Sequence, residues 1–566
     1  DQNWTAAERE GFYHTPQGSH IIPLKFALGL ETKSGGAFFS SANLARYGFI
    51  QQRKDPATNP YGMPVGFTVD GQMKFSKLRQ HSVENGERML GINCAACHTG
   101  SLHYQGRALR IDGGQGMIDF QSFVKDMDYA LRDTKENPDK LDRFFKRVAA
   151  VDPTKASPAA LLAQLETTLK ERGDWTNLNH NGVKYGHGFN ETSFSYGPGR
   201  NDAFAIIFNQ VLARDLGVPG NAREPNAPVS LPVIWDAPYH DWVQWNGLAS
   251  NNAEQGGPMA RNLGQVLGVF GRISFKRPTR ILDGYCSTAR RENLEKLEEH
   301  VKKLWSPQWP TSVFGQLDQS KVARGKVLFE KSCVRCHDPI NRMDPNRSIQ
   351  ARLVPMSTVG TDTKFNDNAI NRMADTSPIA GKLTRLLQGR EMEAQEPAAT
   401  ALRYGVAGAI AGTISIATCS DNIDVTGGDV ITSWGRVAKK AITGQGVTQD
   451  DDNPDKAVRT AALVKKLSVY KARPLNGLWS SPPFLHNGSV NSIYDLLLSP
   501  SERKSFYVGC DEYDPVKLGL ACSGDRGGRL LDISLSGNTP VGHDYGPKGD
   551  SAEADRWDLI EYLKSL

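Results

Sequence analysis

The chain has 566 residues, material for about three to four domains. Lys and Arg total 67 against 62 Asp and Glu, a formal net charge of only +5; a nucleic-acid binder concentrates a far larger basic surplus. Hydrophobic residues at 39% with 23% charged suit a globular chain with a large core, and no apolar run reaches the roughly 18 residues that would span a membrane.

In chain order, residues 1–76 read as loops and short helices, an N-terminal extension packed on the rest, with His14 and His20 in structural roles. The chain opens on Asp1 rather than Met, as expected where an export signal has been removed. Residues 77–305 form the next unit. It contains Cys94-Ala95-Ala96-Cys97-His98 and a helix from Asp119 to Arg132 with Phe120, Phe123, Val124 and Met127 on one face. A tight turn at Gly197-Pro198-Gly199-Arg200 follows, then an aromatic stretch with Trp235, Trp242 and Trp245. The unit closes with an amphipathic helix, Arg291 to Trp305, striped by Leu294, Leu297, Val301 and Leu304.

Ser306-Pro307-Gln308-Trp309-Pro310 marks the boundary to the last unit, 306–566. There a helix through Arg324-Gly325-Lys326-Val327-Leu328-Phe329 leads into Cys333-Val334-Arg335-Cys336-His337. The C-terminus starts a helix at Asp550-x-x-Glu553, like a capping box, and continues it through Trp557, Ile560, Leu563 and Leu566. Few segments alternate as strands. The expected fold is mainly α: two cytochrome c-like haem domains with long loops and few short strands.

The eight cysteines carry the chemistry. Cys-x-x-Cys-His is the attachment signature of c-type haem. Residues three apart on a helical turn present both sulfurs on one face for the haem vinyl groups, and the adjacent His reaches the iron. Zinc would want further Cys or His partners nearby, and a dithiol redox pair has no use for the His. Both motifs are therefore read as haem c sites, on Cys94, Cys97 and His98 and on Cys333, Cys336 and His337. Gly86 and Gly325 stand at matching positions ahead of them, as do Leu90 and Phe329, so the module looks duplicated. Cys286, Cys419, Cys510 and Cys522 remain, with three possible pairings. Cys510 with Cys522 is the nearest pair, which by elimination leaves Cys286 with Cys419; buried free thiols are the alternative. Haem c and disulfides together point to a periplasmic or secreted protein.

The remaining iron ligands decide function, because a haem with two protein ligands passes electrons and one with an open position binds small molecules. His543, in Val541-Gly542-His543-Asp544-Tyr545-Gly546, is favoured as second ligand of the haem on His337. His486, in Pro483-Phe484-Leu485-His486-Asn487-Gly488-Ser489, suits a hydrogen bond to a haem propionate or a carbonyl, and Met356 and Met392 read as core. No such ligand stands out for the haem on His98. Arg200 on its Gly/Pro turn suits a bidentate bond to a propionate; a phosphate loop is disfavoured because no Lys-Ser/Thr follows. One of the three tryptophans could bridge the haems.

These motifs resemble the bacterial di-haem cytochrome c peroxidase superfamily: two haem c sites about 240 residues apart, Arg324 to Phe329, Leu485-His486-Asn487-Gly488-Ser489, and Gly542-His543-Asp544-Tyr545-Gly546 before a terminal helix. The length, together with Tyr13-His14-Thr15-Pro16-Gln17-Gly18 and Gly197-Pro198-Gly199-Arg200, is similar to the enlarged oxygenase branch of rubber oxygenases and fatty-acid dioxygenases or diol synthases. The resemblance implies an oxygen-binding haem on His98 and a six-coordinate, electron-handling haem on His337 and His543. It gives Trp245 the inter-haem position. The branch's distal phenylalanine falls near Ala260, where the chain reads Pro258-Met259-Ala260-Arg261, so rubber is in doubt and Phe270 is the replacement considered. Calcium is admitted by the resemblance, but no ligand set for it emerges.

The function expected is a periplasmic oxygenase that adds O2 to a small apolar lipid, a free fatty acid such as oleate, with a periplasmic electron donor as partner. The rivals are polyisoprene cleavage, hydrogen-peroxide reduction and plain electron transfer.

Overall fold

A computed structural model describes residues 2–71, 87–151, 156–179, 195–252, 256–275, 285–385, 388–414 and 468–566. Helix α1 (Ala6–His14) starts at a capping box in which Thr5 accepts from the Glu8 amide and Glu8 answers the Thr5 amide. A three-stranded antiparallel sheet follows, with Met89–Ile92 between His20–Pro23 and Phe67–Asp70. The central strand leads through Asn93 into the helical turn of the first Cys motif. Asn93 caps that turn and anchors to the carbonyls of Phe12 and Thr15. A hairpin, Thr99–Tyr104 with Arg107–Asp112, turns on Gln105 (φ 49°) and Gly106 (φ 76°), the left-handed pair that matches strand twist in a two-residue loop.

Asp119 caps the next helix, α2 (Phe120–Glu136), which buries Phe120, Phe123, Val124 and Met127 as its spacing predicts. It runs a turn beyond the expected Arg132. Helices α3 (Gly257–Gly268) and α4 (Arg291–Lys303) come later, and the α4 stripe of Leu294, Leu297 and Val301 is buried together with Glu298. In the C-terminal part α5 (Gln319–Ser332) crosses α6 (Ala552–Ser565). An added Cβ at Gly325 would lie 2.0 Å from the Asp558 carbonyl oxygen, so only glycine permits this approach. Arg324 clamps the Asp558 carboxylate with Nε and Nη2 (2.6 and 2.8 Å), and Phe329 packs on Tyr562. The expected capping box of α6 does not form. Ser551 precedes the helix without a side-chain cap, and Glu553 bonds Tyr494, Arg556 and Trp557 instead.

The chain mixes helix with many short antiparallel pairs, without a barrel, rather than being mainly α. The strands run two to six residues, too short to show a period-two pattern, and Met89–Ile92 is covered on both faces. Two large apolar clusters hold the molecule. One joins Trp4 and Phe12 to Leu263, Phe329 and Leu563; the other gathers Ile22, Phe67, Phe123, Trp175 and Phe270. Among the described residues no helix is long and apolar enough to cross a membrane. Cys510 and Cys522 form a disulfide as expected. Cys286 is disulfide-bonded too, while Cys419 lies outside the described residues.

Candidate haem sites

Each Cys-x-x-Cys-His motif ends in an imidazole held the same way. His98 Nδ1 donates to the Pro232 carbonyl at 2.7 Å, and His337 Nδ1 donates to the Arg473 carbonyl at 2.7 Å. A ring anchored through Nδ1–H presents its Nε2 lone pair for a metal, as in a metal-bound His whose other ring nitrogen donates to a carbonyl. Burial pushes His98 down to about 4, with the Pro232 bond pulling the other way, and burial likewise lowers His337. Both rings are thus neutral, the state a metal ligand needs.

None of the four motif cysteines is in a disulfide. Burial raises Cys94 to about 11, Cys97 to about 12 and Cys333 to about 11, so they are not the activated thiolates of a redox pair. Among the described residues no group of three or more His, Cys, Asp or Glu side chains gathers as a metal cage. The donor chemistry fits a covalently tethered haem.

His543 faces His337 with 6.3 Å between ring centroids and 54° between ring planes. Two metal–imidazole bonds of about 2 Å, plus about 1 Å from each nitrogen to its ring centre, span roughly 6 Å, so one iron fits between them. His543 lacks the Nδ1 anchor of its counterpart; its loop is fixed through the backbone. His543 has φ 50°, its amide donates to the Val359 carbonyl at 2.8 Å, and a Cβ on Gly542 would lie 2.4 Å from the 359–361 backbone. Arg503 completes the hold, donating to the carbonyls of Leu496, Leu498, Pro540, Gly542 and His543 at 2.5 to 3.2 Å. Sequence reading missed Arg503; an arginine spent on carbonyls has no motif.

Trp245 lies between the two anchors. Its Nε1 donates to the Ser230 carbonyl at 3.0 Å, two residues before Pro232, and the Arg473 guanidinium lies 5.9 Å above its ring. His486 stacks on Tyr470 at 4.2 Å, and its carbonyl accepts from the Ser230 amide. Its Nε2 is buried without a partner, so the expected carbonyl bond is not made and the nitrogen is left for an oxygen of another group. Arg200 departs from expectation. Its Nη groups bond Asn487, Asn538 and Tyr196 of the protein, which leaves only Nε unpartnered and rules out a bidentate grip on a propionate.

Phe270, at φ 62°, packs on Phe120 (5.5 Å) and Trp175 (5.1 Å) beneath the Arg172 guanidinium, a setting of core aromatics. Met392 is core, as expected. His20 pairs with Asp70 at 2.8 Å and His14 with Glu10 at 3.3 Å, both structural. The buried Arg261–Glu298 pair between α3 and α4, joined by Asn262, was not anticipated; Glu298 sits in a helical stripe otherwise apolar.

A family model described as RoxA-like, cytochrome c-like matches residues 469–508, the stretch that carries Tyr470, Arg473, His486 and Arg503. The protein y4iJ of Sinorhizobium fredii (strain NBRC 101917 / NGR234) is 29% identical across 100% of this chain and 92% of its own length. A second protein of that strain, y4iM, is 32% identical over 19% of this chain and 30% of its own. The chain therefore carries a RoxA-like cytochrome c region, which implies covalently bound haem c and a haem oxidoreductase.

Proposed function

We propose that the chain is a two-haem oxygenase of the periplasm or the secreted fraction, in which the haem on Cys94, Cys97 and His98 binds O2 and the haem on Cys333, Cys336 and His337 takes His543 as second ligand. The observation that carries this reading is the asymmetry of the two motifs: His337 has an imidazole facing it at 6.3 Å, whereas His98 has no such ring partner among the described residues. When bound, haem c supplies oxygen activation at an open iron position and one-electron transfer at a saturated one.

The chain's own residues do the rest. Pro232 and Arg473 hold the two proximal rings in the tautomer that frees Nε2. Arg503 and Gly542 keep His543 at its distance. Trp245 links the two anchoring segments and is the side chain through which electrons pass between the haems. Phe270 is proposed as a pocket-shaping aromatic near the oxygen site, Arg200 and His486 as neighbours of the haem edges. The substrate proposed is a small unsaturated lipid, a free fatty acid such as oleate, supported by the resemblance of Tyr13 to Gly18 and Gly197 to Arg200 to that oxygenase branch. A periplasmic electron donor completes the cycle.

Carbon monoxide titration of the dithionite-reduced protein, followed by its Soret spectrum, tests the asymmetry: one equivalent per chain is expected, and none or two would overturn it. Incubation with oleate under isotopically labelled O2, with mass spectrometry of the extract, tests the reaction; a hydroperoxide or diol carrying both labelled atoms is expected. Turnover only with H2O2 and no lipid product would make the protein a peroxidase.

A further inference from the structure

Strand Val469–Ala472 pairs with Arg352–Pro355, and Lys471 on it, with Arg473 directly after it, brings two cations into the region between the motifs. The Lys471 ammonium makes a single long hydrogen bond, 3.4 Å to the Trp242 carbonyl. Burial, with Arg473 and Arg261 nearby, brings its pKa down to about 7. The Arg473 guanidinium lies over Trp245 and has no hydrogen-bonding or ion-pair partner among the described residues. Beside them His240 is buried, with Nδ1 unpartnered; burial and the positive charges of Lys471, Arg473 and Arg261 push it far down.

The acids that face this cluster are already engaged. Glu298 pairs with Arg261, and Asp236 pairs with Arg347 at 2.7 Å. Asp241 accepts from the amides of Trp242 and Ala351. The Asp241 carboxylate still favours the charged form of Lys471, as Asp236 does that of Arg473, but among the described residues neither cation closes an ion pair. Lys471 and Arg473 are half-buried, and two cations side by side with no ion pair among the described residues are suited to receive anionic oxygens from outside the chain. Their position narrows the choice. The Arg473 carbonyl holds His337, and Trp245, under the same guanidinium, bonds the segment that holds His98.

We propose that Lys471 and Arg473, flanked by His240, form a carboxylate-binding site between the two Cys-x-x-Cys-His motifs, filled by propionate side chains of the bound haem. This rests on the assignment of both motifs as haem sites. The same chemistry would receive the carboxylate of a free acid substrate, and the experiment separates the two sources.

The test uses the holoprotein and the variants K471M, K471R, R473M and H240L. Pyridine haemochrome assay of the wild type comes first. Absence of haem there defeats the parent assignment, whereas two haems per chain leave the present proposal to be judged alone. Spectroelectrochemical titration should then show one midpoint potential lowered in K471M and R473M, because a lost cation no longer favours the reduced state, and near the wild-type value in K471R. The propionate-bending band in the resonance Raman spectrum should shift in the same variants and in H240L, which removes both ring nitrogens of a neutral imidazole without removing charge and so serves if K471M fails to assemble. If a substrate carboxylate is the occupant, potentials and propionate bands stay put while KM for oleate rises by about tenfold or more and KM for its methyl ester does not. Unchanged potentials, Raman bands and KM across all the variants would overturn the site.

Discussion

Arg473 and Trp245 are joined face to cation, the guanidinium 5.9 Å from the ring centroid, and each also belongs to the support of a different proximal histidine. Arg473 holds His337 through its carbonyl, and Trp245 bonds Ser230 on the segment that holds His98. Replacing Trp245 by Phe keeps the aromatic volume but removes the Nε1–H donor and the indole. Stopped-flow reduction should show slower electron equilibration between the haems, with haem content and both absorption spectra unchanged. An unaltered rate would remove Trp245 from the path.

His543 faces His337 at 6.3 Å, the position proposed for a second iron ligand. In H543A the second haem should lose its low-spin electron paramagnetic resonance signal, and carbon monoxide uptake should rise from one to two per chain. Persistence of the signal would mean that another side chain ligates that iron.

Arg503 donates to five backbone carbonyls around this loop. R503M keeps much of the volume while leaving those carbonyls unpaired. The expected loss is about 3 kcal/mol, since buried polar groups stripped of a charged partner are costly. Denaturant melts measure it, and the low-spin signal of the second haem should weaken in parallel. A loss under about 1 kcal/mol would show that water replaces the arginine.

Gly325 permits the crossing of α5 and α6, with a substituted Cβ meeting the Asp558 carbonyl oxygen at 2.0 Å. G325A should destabilise the protein by about 2 kcal/mol through overpacking, although alanine is the better helix former. A neutral or stabilising effect in thermal melts would contradict the tight crossing.

Burial pushes His486 down to about 4, with Asp362 pulling the other way. A histidine with a depressed folded pKa stays neutral in the native state while the unfolded chain takes up a proton below about 6.5. Its contribution is therefore fully present above pH 6.5 and is lost as pH falls toward 4, at up to about 1.4 kcal/mol per pH unit. H486F cannot take up that proton, so its stability should decline less steeply over this interval. Equal slopes for wild type and variant would show that His486 is not neutral in the folded protein.

Much of the chemistry was legible along the chain. The Cys-x-x-Cys-His runs fix attachment chemistry by local spacing, and Cys510 and Cys522 were near enough in sequence to pair. Phe120, Phe123, Val124 and Met127 announce a buried face through helical periodicity. The short strands were illegible, because ladders of two to four residues take their identity from partners far away, as Arg352–Pro355 does from Val469–Ala472. Arg200 also looked different in isolation: its Gly/Pro turn suggested a ligand-facing guanidinium, and the fold spends both Nη groups on its own loops.

Local sequence thus singled out the atoms proposed to hold an iron, since covalent spacing and one helical turn are short-range properties. Tertiary structure decided how those atoms are used: the carbonyl that orients each imidazole, the 6.3 Å between His337 and His543, and the meeting of Lys471, Arg473 and His240. Each of these joins residues tens to hundreds of positions apart, and whether a charge is paired or left over depends on which distant side chains pack around it.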